Sequence, residues 1–292
     1  WRVQKRGGKG LIGMETKEED MVDRLLTCTT HASLLFFTDT GKVYQVPAYE
    51  VPEGTRVSKG KAIFNFLSLG QQERVTSLLA VPKAKKKESF YVVMVTKDGV
   101  IKKVEADSFG AVRKNGLIAM TLKGGDILRW AKLTSGKDEM ILVSKKGQAI
   151  RFREQDIRPM GRTAAGVRAM RLGKGDEVVG IDVIPSSKFQ VSSFKLLVVM
   201  EHGYGKQTDL GQYKKQKRGG SGIKTAKVTP KTGAVVSAHI VGGEEEELIA
   251  ISRKGQVIRT VLSAIPSHSR STQGVRIMKL DEGDAVASIT TL

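Results

Sequence analysis

Apolar and polar positions alternate along the chain in a pattern that recurs five times. Each copy consists of an apolar run, a polar turn with a glycine, and a second run that carries a cation. Because glycine supplies the positive φ that a tight turn requires, each copy predicts a β-hairpin. The copies occupy residues 33–46, 91–104, 140–152, 196–208 and 248–260, and their turn glycines are Gly41, Gly99, Gly147, Gly203 and Gly255.

The turn glycines are separated by 58, 48, 56 and 52 residues. A repeat of about 50 residues is typical of a four-stranded blade in a propeller-like fold. Aromatic residues make up only 5% of the chain, glycines number 32, and no long segment has the 3.6-residue period of an amphipathic helix. The sequence therefore predicts an all-β fold.

A second kind of segment alternates with the hairpins: a basic loop that ends on a glycine, a strand, a charged turn and another apolar strand. In the clearest copies, cations stand two and five residues after the glycine. Side chains two residues apart share one face of a strand, so a spacing of three predicts a bulge or twist that turns both charges outward. The closing glycines are Gly10, Gly60, Gly116, Gly166, Gly222 and Gly274.

Six such segments accompany only five hairpins, because residues 1–27 contain a loop segment with no hairpin before it. We therefore expect a single domain of six blades, the first of them incomplete, in a chain that belongs to a longer polypeptide whose missing hairpin precedes Trp1. The expected blades span roughly residues 1–27 (partial), 28–82, 88–136, 138–187, 194–243 and 246–292.

The basic loops carry arginine at equivalent positions. Residues 4–10 read Gln-Lys-Arg-Gly-Gly-Lys-Gly, and residues 216–222 repeat them as Gln-Lys-Arg-Gly-Gly-Ser-Gly. In a radial array of blades equivalent positions lie on one rim, so the sequence predicts a belt of positive charge. Five of the six loops have an arginine four residues before the closing glycine: Arg6, Arg56, Arg162, Arg218 and Arg270. The remaining loop has Val112 there, followed by Arg113 and Lys114.

The charge of the whole chain points in the same direction. Lys and Arg total 49 against 30 Asp and Glu, a formal net charge of +19. An excess of this size in a folded domain favours a polyanionic partner, with nucleic acid first and an anionic membrane surface second. No run of about 20 apolar residues occurs, so the sequence predicts no membrane span.

Motifs of enzymes and of metal sites are absent from the sequence. The Gly-Gly-Lys-Gly of the first loop lacks the spacing of a P-loop, and the four histidines are too dispersed to be metal ligands. Cys28, the single cysteine, is predicted to be a core residue in a reducing, intracellular protein. Met120, Met170 and Met278 occupy matching repeat positions and are interpreted as packing residues. We expect no cofactor and no metal.

Residues 4–10 resemble the gyrase A-box, the Gln-Arg-Arg-Gly-Gly-Lys-Gly signature of the C-terminal domains of DNA gyrase A subunits. The repeat of about 50 residues is similar to that family over essentially the whole chain. The sequence departs from the signature at Lys5, where the charge is kept but the bidentate geometry of arginine is lost. The C-terminal domains of topoisomerase IV A-type subunits have similar blades but typically lack an intact box.

The resemblance implies a six-bladed β-pinwheel whose blades exchange strands and whose basic rim wraps double-stranded DNA with little sequence preference. It also implies that the parent enzyme introduces negative supercoils in a heterotetramer with two partners, the gyrase A N-terminal domain and the ATP-hydrolysing gyrase B subunit. The expected location is the cytoplasm, with the nucleoid, of a bacterium or an organelle. Since the breakage tyrosine of the family lies elsewhere, no catalysis is expected from Tyr44, Tyr49, Tyr91, Tyr204 or Tyr213.

The predicted DNA contacts are the seven residues of the box and the loop cations of the later repeats. Two other interpretations stay open: a topoisomerase IV C-terminal domain, and a propeller-like scaffold whose basic rim binds an acidic protein or lipid surface. The predicted contact residues are Gln4, Lys5, Arg6, Gly7, Gly8, Lys9, Gly10, Arg56, Arg113, Lys114, Arg162, Arg168, Lys217, Arg218, Lys224, Arg270 and Arg276.

Overall fold

The computed structural model describes residues 26, 28–54, 61–81, 90–110, 115–186, 194–242 and 247–291. Their strands form five antiparallel sheets. The strands are β1 (Ser33–Thr38), β2 (Lys42–Pro47), β3 (Val75–Val81), β4 (Tyr91–Thr96), β5 (Val100–Glu105), β6 (Leu117–Ile118), β7 (Leu128–Thr134), β8 (Glu139–Ser144), β9 (Gln148–Arg153), β10 (Val167–Arg168), β11 (Val178–Ile184), β12 (Lys195–Met200), β13 (Tyr204–Asp209), β14 (Ile223–Lys224), β15 (Val235–Val241), β16 (Glu247–Ser252), β17 (Val257–Val261), β18 (Val275–Arg276) and β19 (Val286–Thr291).

Each of the first four sheets is built around one hairpin and takes its outermost strand from the following repeat. In the first sheet the order is β3-β1-β2-β6, and β6 comes from the repeat that supplies the second sheet. The same exchange places β10, β14 and β18 on the second, third and fourth sheets. Consecutive repeats are therefore connected by backbone pairing at the outer edge as well as by packing.

The prediction of six blades is wrong for the part of the chain that the structure describes, where there are five sheets. Every sheet contains one hairpin, and the sequence has five hairpins. The sixth blade was counted from a loop segment in residues 1–27, which lies almost wholly outside the described residues. In the fifth sheet, of order β17-β16-β19, the outer edge of β17 has no paired strand among the described residues, and Val257 is 60% exposed.

The inner edges of the five sheets face one another around the middle of the fold. Successive inner strands β3, β7, β11, β15 and β19 contact each other, and they line a cavity of about 440 Å³. Direct bonds cross between sheets here, because the Ser77 hydroxyl donates to the Ala131 carbonyl (3.1 Å) and accepts from the Ala131 amide (3.0 Å). This radial arrangement around a central cavity is propeller-like, as the sequence predicted.

The predicted hairpin turns are confirmed. All five turn glycines have positive φ, between 78° and 83°. Gly203 shows the reason most clearly, since a Cβ there would also collide with the backbone carbonyl of Met278 from the following repeat. A glycine is therefore required at this turn both for its backbone conformation and for the close approach of the exchanged segment.

The hydrophobic core lies between neighbouring sheets. Leu35 and Phe37 of the first sheet pack against Val92 and Met94 of the second, and equivalent clusters follow around the ring. Because most hairpin strands are covered on both faces, they appear in the sequence as continuous apolar runs. The three matching methionines, Met120, Met170 and Met278, are buried as predicted. The prediction for Cys28 was wrong, since it is exposed and precedes β1.

The charged turns of the repeats hold the two kinds of segment together. A side-chain oxygen of Asp126 accepts hydrogen bonds from the amides of Asp98 (3.0 Å) and Ile127 (2.8 Å). Asp176 and Asp284 do the same in later repeats, each reaching the amide of a residue in a hairpin turn. These carboxylates therefore have a structural role.

No helix among the described residues is long and apolar enough to cross a membrane.

In the first sheet, a buried glutamate, Glu73, connects the hairpin to the segment that follows it. Its carboxylate accepts hydrogen bonds from the hydroxyls of Thr38 (2.6 Å), Thr40 (2.8 Å) and Tyr44 (2.8 Å), and from the Gly70 amide (3.1 Å). Burial by itself raises the pKa of Glu73, but these donors outweigh it and lower that pKa to about 2. Burial of the Tyr44 hydroxyl, followed by its hydrogen bond to Glu73 and the charge of Glu73, raises the pKa of Tyr44.

Glu73→Gln is expected to lower the free energy of unfolding at neutral pH by about 1–3 kcal/mol, because the charged acceptor is lost. In the wild type, this stabilisation is present above the ordinary carboxyl pKa of 4.5 and is lost as the pH falls through the folded value of about 2. When the pH is lowered from about 7 to about 3, the free energy of unfolding measured in urea should fall less in the variant than in the wild type. Equal losses in the two proteins would contradict this account.

Candidate nucleic-acid interface

The outermost strands carry the cations that the sequence placed two residues after the closing glycines. Arg168 on β10, Lys224 on β14 and Arg276 on β18 are all exposed. The predicted bulge is also confirmed. The amides of Ala169 and Met170, which follow β10, both donate to the carbonyl of Gly99, at 2.8 and 3.3 Å.

Two residues opposite one are the arrangement of a β-bulge, and it changes which side chains face the core. Ala169 and Met170 are buried, and the next residue, Arg171, is exposed again. Lys227 and Lys279 are exposed at the same place in the next two repeats. The exchanged segments of the second, third and fourth sheets therefore each present two cations to solvent, one on each side of two buried or partly buried residues.

The arginines four residues before the closing glycines have a different environment from the one predicted. Arg162, Arg218 and Arg270 are only half-exposed. The Arg218 guanidinium donates to the carbonyl oxygens of Asp156 (2.9 Å) and Arg168 (3.1 Å), and that of Arg270 donates to the carbonyl oxygen of Lys224 (3.0 Å). These two arginines connect each loop to the outer strand of the preceding sheet.

Backbone bonds strengthen the same connections between consecutive loops. The Arg171 amide donates to the Gly220 carbonyl (2.8 Å), and the Lys227 amide donates to the Thr272 carbonyl (3.0 Å). The outer loops and strands of the second to fourth sheets therefore form one continuous, hydrogen-bonded rim. Its exposed cations are held at fixed spacing by the backbone instead of lying on independent loops.

Among the exposed rim cations, Arg276 contacts the aromatic ring of Tyr204. Its guanidinium lies 5.6 Å from the centre of the Tyr204 ring and donates to the Tyr204 hydroxyl (3.2 Å). Lys231 approaches the same ring at 5.6 Å. The hydrogen bond from Arg276, together with the charges of Arg276 and Lys231, lowers the pKa of Tyr204 despite an opposing effect of burial. Cation–π contact limits the freedom of both basic side chains.

Beneath the rim lies a set of buried cations that sequence reasoning missed. Lys206 on β13 is fully buried, and its ammonium donates to the carbonyl oxygens of Ser269 (2.6 Å) and Arg270 (2.6 Å) and to the hydroxyl of Thr272 (3.1 Å). Burial, followed by the charge of Arg270, lowers the pKa of Lys206 to about 8. The three acceptors belong to one rim loop.

Lys102 occupies the same repeat position on β5, and it too is fully buried. Its ammonium donates to the carbonyl oxygens of Ala119 (2.7 Å) and Arg162. Burial, followed by the charge of Arg162, lowers the pKa of Lys102 to about 8. A signal was available in the sequence, because both lysines stand three residues after a turn glycine inside an otherwise buried strand.

The next residue along the chain, four residues after the turn glycine, is charged for a structural reason on β5 and on β9. Lys103 is buried and pairs with Glu154 at 3.5 Å, with its ammonium 4.9 Å from the centre of the Tyr91 ring. Arg151 is paired with Glu139 at 2.7 Å. Such pairs are costly to break by removing one partner, so they maintain the packing without contributing to the exposed charge.

Several predicted contacts lie outside the described residues: the whole box at residues 4–10, Arg56, Arg113 and Lys114. Lys217 is described and exposed. The second repeat departs from the others on its outer strand, where Ile118 takes the place of a cation and is 50% exposed. Within the described part of the chain no three His, Cys, Asp or Glu side chains come together as a metal site would require.

Comparison with known families accounts for the repeats along the chain. The family described as DNA gyrase C-terminal domain, beta-propeller, matches residues 2–29, 32–82, 91–135, 138–185, 195–242 and 246–292. The chain belongs to this family. Six matched segments against five described sheets agree with a first repeat that has a loop segment but no hairpin in this chain. The family assignment that residues 4–10 suggested is confirmed.

Relatives of this gyrase C-terminal domain support the assignment. The chain is 42% identical to the DNA gyrase A polypeptide of Staphylococcus epidermidis over 289 residues, which is 99% of the chain and 32% of that protein. The chain thus spans about a third of the length of the curated relatives it matches. It also resembles a solved DNA gyrase A C-terminal domain, with a TM-score of 0.74 and 28% identity over 90% of this chain and 83% of that one.

The fold is shared with the neighbouring topoisomerase family. A solved C-terminal domain of DNA topoisomerase IV superposes with a TM-score of 0.81 and 25% identity, over 94% of this chain and 85% of that one. Blade architecture therefore does not separate the two families. At residues 4–10 the chain has the box sequence on which the family resemblance rested, with one change, Lys5.

Proposed function

We propose that this domain binds duplex DNA and bends it around the rim, so that its parent enzyme introduces negative supercoils. The domain itself carries out no chemical step. In this proposal the DNA backbone follows the exposed cations on the outer strands, and the contacts carry little sequence information because they repeat from sheet to sheet. The observation that carries the proposal is the continuous rim on which Arg168, Lys224 and Arg276 occupy one equivalent, exposed position.

The energetics favour a surface with many contacts. Bending 20–30 base pairs by up to about 90° costs on the order of 1–6 kcal/mol, and each neutralised phosphate adds about 0.9 to the salt dependence of binding. A single loop cannot offset that cost. Cations distributed over several sheets can, provided that their spacing is fixed, and the hydrogen bonds from Arg218 and Arg270 to neighbouring outer strands fix it.

A small circular DNA relaxed by a topoisomerase in the presence of the 292-residue chain tests the proposal directly. Wrapping should leave a change in linking number whose sign gives the hand of the wrap. Binding should also be tighter to a duplex of about 150 base pairs than to one of about 20, because only the longer one reaches several sheets. An unchanged linking number together with equal affinity per base pair would reject wrapping.

The second interpretation, a scaffold for an acidic protein or a lipid surface, is favoured only by the total charge of the chain. It predicts salt-dependent binding with no preference for DNA that is long enough to bend. The proposed parent complex contains a gyrase A N-terminal domain and a gyrase B subunit, in the cytoplasm of a bacterium or an organelle. A linking-number change produced by the chain alone distinguishes wrapping from scaffolding without those partners.

A further inference from the structure

The carbonyl groups held by the buried Lys206 determine the direction of the amides beside them. In a trans peptide the C=O group and the following N–H group point in opposite directions. The described residues contain no cis peptide bond. Because the carbonyls of Ser269 and Arg270 point inward to Lys206, the N–H groups of Arg270 and Ser271 point away from it. Neither N–H has a hydrogen-bond acceptor among the described residues, and Ser271 is exposed.

The loop above Lys102 has the same geometry. The inward carbonyl there belongs to Arg162, so the N–H of Thr163 points outward. This N–H also lacks an acceptor within the described part of the chain, and Thr163 is exposed. Arg162 and Arg270 stand at the same repeat position, so the two loops present the same backbone donor next to the same side chain.

The third sheet provides an internal comparison. The position of the buried lysine is occupied there by Ile150, which has no donor for the loop above it. In that loop the residue equivalent to Ser271 is Gly219, and its N–H donates to the carbonyl of Ala169 in the neighbouring rim segment at 2.5 Å. The amide therefore has no acceptor among the described residues in the two loops that lie over a lysine, and it is bound to the protein in the loop that lies over isoleucine.

From this contrast we infer that Lys206 and Lys102 are positioning residues of two phosphate-binding cradles on the rim. Each lysine holds loop carbonyls inward and thereby aims backbone N–H groups at a DNA phosphate oxygen. The donors are the amides of Arg270 and Ser271 in one cradle and the amide of Thr163 in the other. Outward amides that converge beside a cation form a favourable anion site, and the buried ammonium adds its charge from below. The inference rests on the proposed function, since the phosphate belongs to bound DNA.

Lys206→Met tests the inference, because methionine keeps the length of the side chain and removes the donors. We expect DNA affinity at pH 7 to fall about tenfold, the effect of losing charge-assisted hydrogen bonds at one cradle. The matched control is Lys103→Met, which removes a buried, ion-paired lysine whose ammonium binds Glu154 and no rim loop. The backbone bond from the Met160 amide to the Lys103 carbonyl is retained in this variant. Urea unfolding of both variants identifies conditions in which each is fully folded. Under those conditions a loss of DNA affinity reflects a change in the rim loop and not unfolding.

The pH dependence of binding provides a readout that a purely structural role would not change. Since the pKa of Lys206 is about 8, wild-type affinity should fall several-fold as the pH rises from about 7 to about 9, and Lys206→Met should lose part of this dependence. All neighbouring titratable groups are retained in the variant, so the difference between the two profiles isolates Lys206. These neighbours are Arg270, which faces Lys206, and His268, Arg276, Tyr204 and Tyr213 on adjoining segments.

Amide resonances locate the effect on the loop. Adding a duplex of about 20 base pairs should shift the amide signals of Ser271 and Thr163 in the wild type and leave that of Gly219 nearly unchanged. In Lys206→Met the Ser271 shift should disappear while the Thr163 shift remains. The inference is overturned if the folded Lys206→Met protein binds like the wild type, or if Gly219 responds as strongly as Ser271. If the wild type itself does not bind duplex DNA, the proposed function fails instead.

Discussion

Replacing Arg168, Lys224 and Arg276 together with alanine is expected to reduce the salt dependence of DNA binding by about 2.7 in the slope of log K against log salt. This value corresponds to three lost phosphate contacts at about 0.9 each. The affinity of the triple variant at low salt should fall by at least about a hundredfold. Binding isotherms for a duplex of about 150 base pairs, measured at several salt concentrations, give both quantities.

The control for this triple variant removes the same charge elsewhere. Lys123, Lys137 and Lys174 are exposed cations in turns that are not part of the outer strands. Their replacement with alanine should weaken binding only slightly, since it lowers the general field but no rim contact. If the two triple variants bound DNA equally well, total charge and not the rim would be responsible for binding.

Ile118 allows the same prediction to be tested in the opposite direction. It lies on the outer strand of the first sheet at the position where the other outer strands have a cation, and half of its surface is exposed. Ile118→Arg should therefore steepen the salt slope by about 0.9 without disturbing the core. An unchanged slope would show that this part of the rim does not contact DNA.

Local patterns were sufficient to predict much of this fold. The turn glycines, the repeat length and the bulge after each outer strand all followed from positive φ and from the two-residue period of strands. The exchange of outer strands could not be derived from these patterns, because Val167 and Arg168 pair with Ile101 and Val100 about 65 residues earlier, and short strands carry no sequence signal for such a partner. The prediction that neighbouring blades exchange strands came from the family resemblance and not from the periodicity.

The candidate site was predicted less completely, for a physical reason. Sequence periodicity located the arginines before the closing glycines but could not tell exposed guanidinium groups from those of Arg218 and Arg270, which bind backbone carbonyls. In the same way, Lys102 and Lys206 resemble surface lysines by composition. Their burial depends on loop carbonyls that come from the next repeat, and residue type alone does not reveal such an acceptor.

The loop at residues 4–10 is expected to have the largest single effect on wrapping. Replacing Lys5, Arg6 and Lys9 with alanine should abolish the linking-number change caused by the chain, and should remove supercoiling by the proposed parent enzyme while relaxation survives. The reason is that bending DNA by up to about 90° needs several simultaneous phosphate contacts, and this loop has three cations in seven residues. Retained supercoiling in the triple variant would contradict the prediction.

The copy of this loop at residues 216–222 provides the matched control, since the two differ only at Lys9 and Ser221. In the copy, the Arg218 guanidinium is held by the carbonyls of Asp156 and Arg168, whereas Ser221 is exposed. Since Lys217 is also exposed, repeat equivalence predicts that Lys5 and Lys9 are both more available to a phosphate than Arg6, and Lys9 is the one cation that the copy lacks. Lys9→Ser should cause most of the loss seen in the triple variant, and Lys217→Ala with Arg218→Ala should cause less. Equal losses from the two loops would show that residues 4–10 are one basic loop among several.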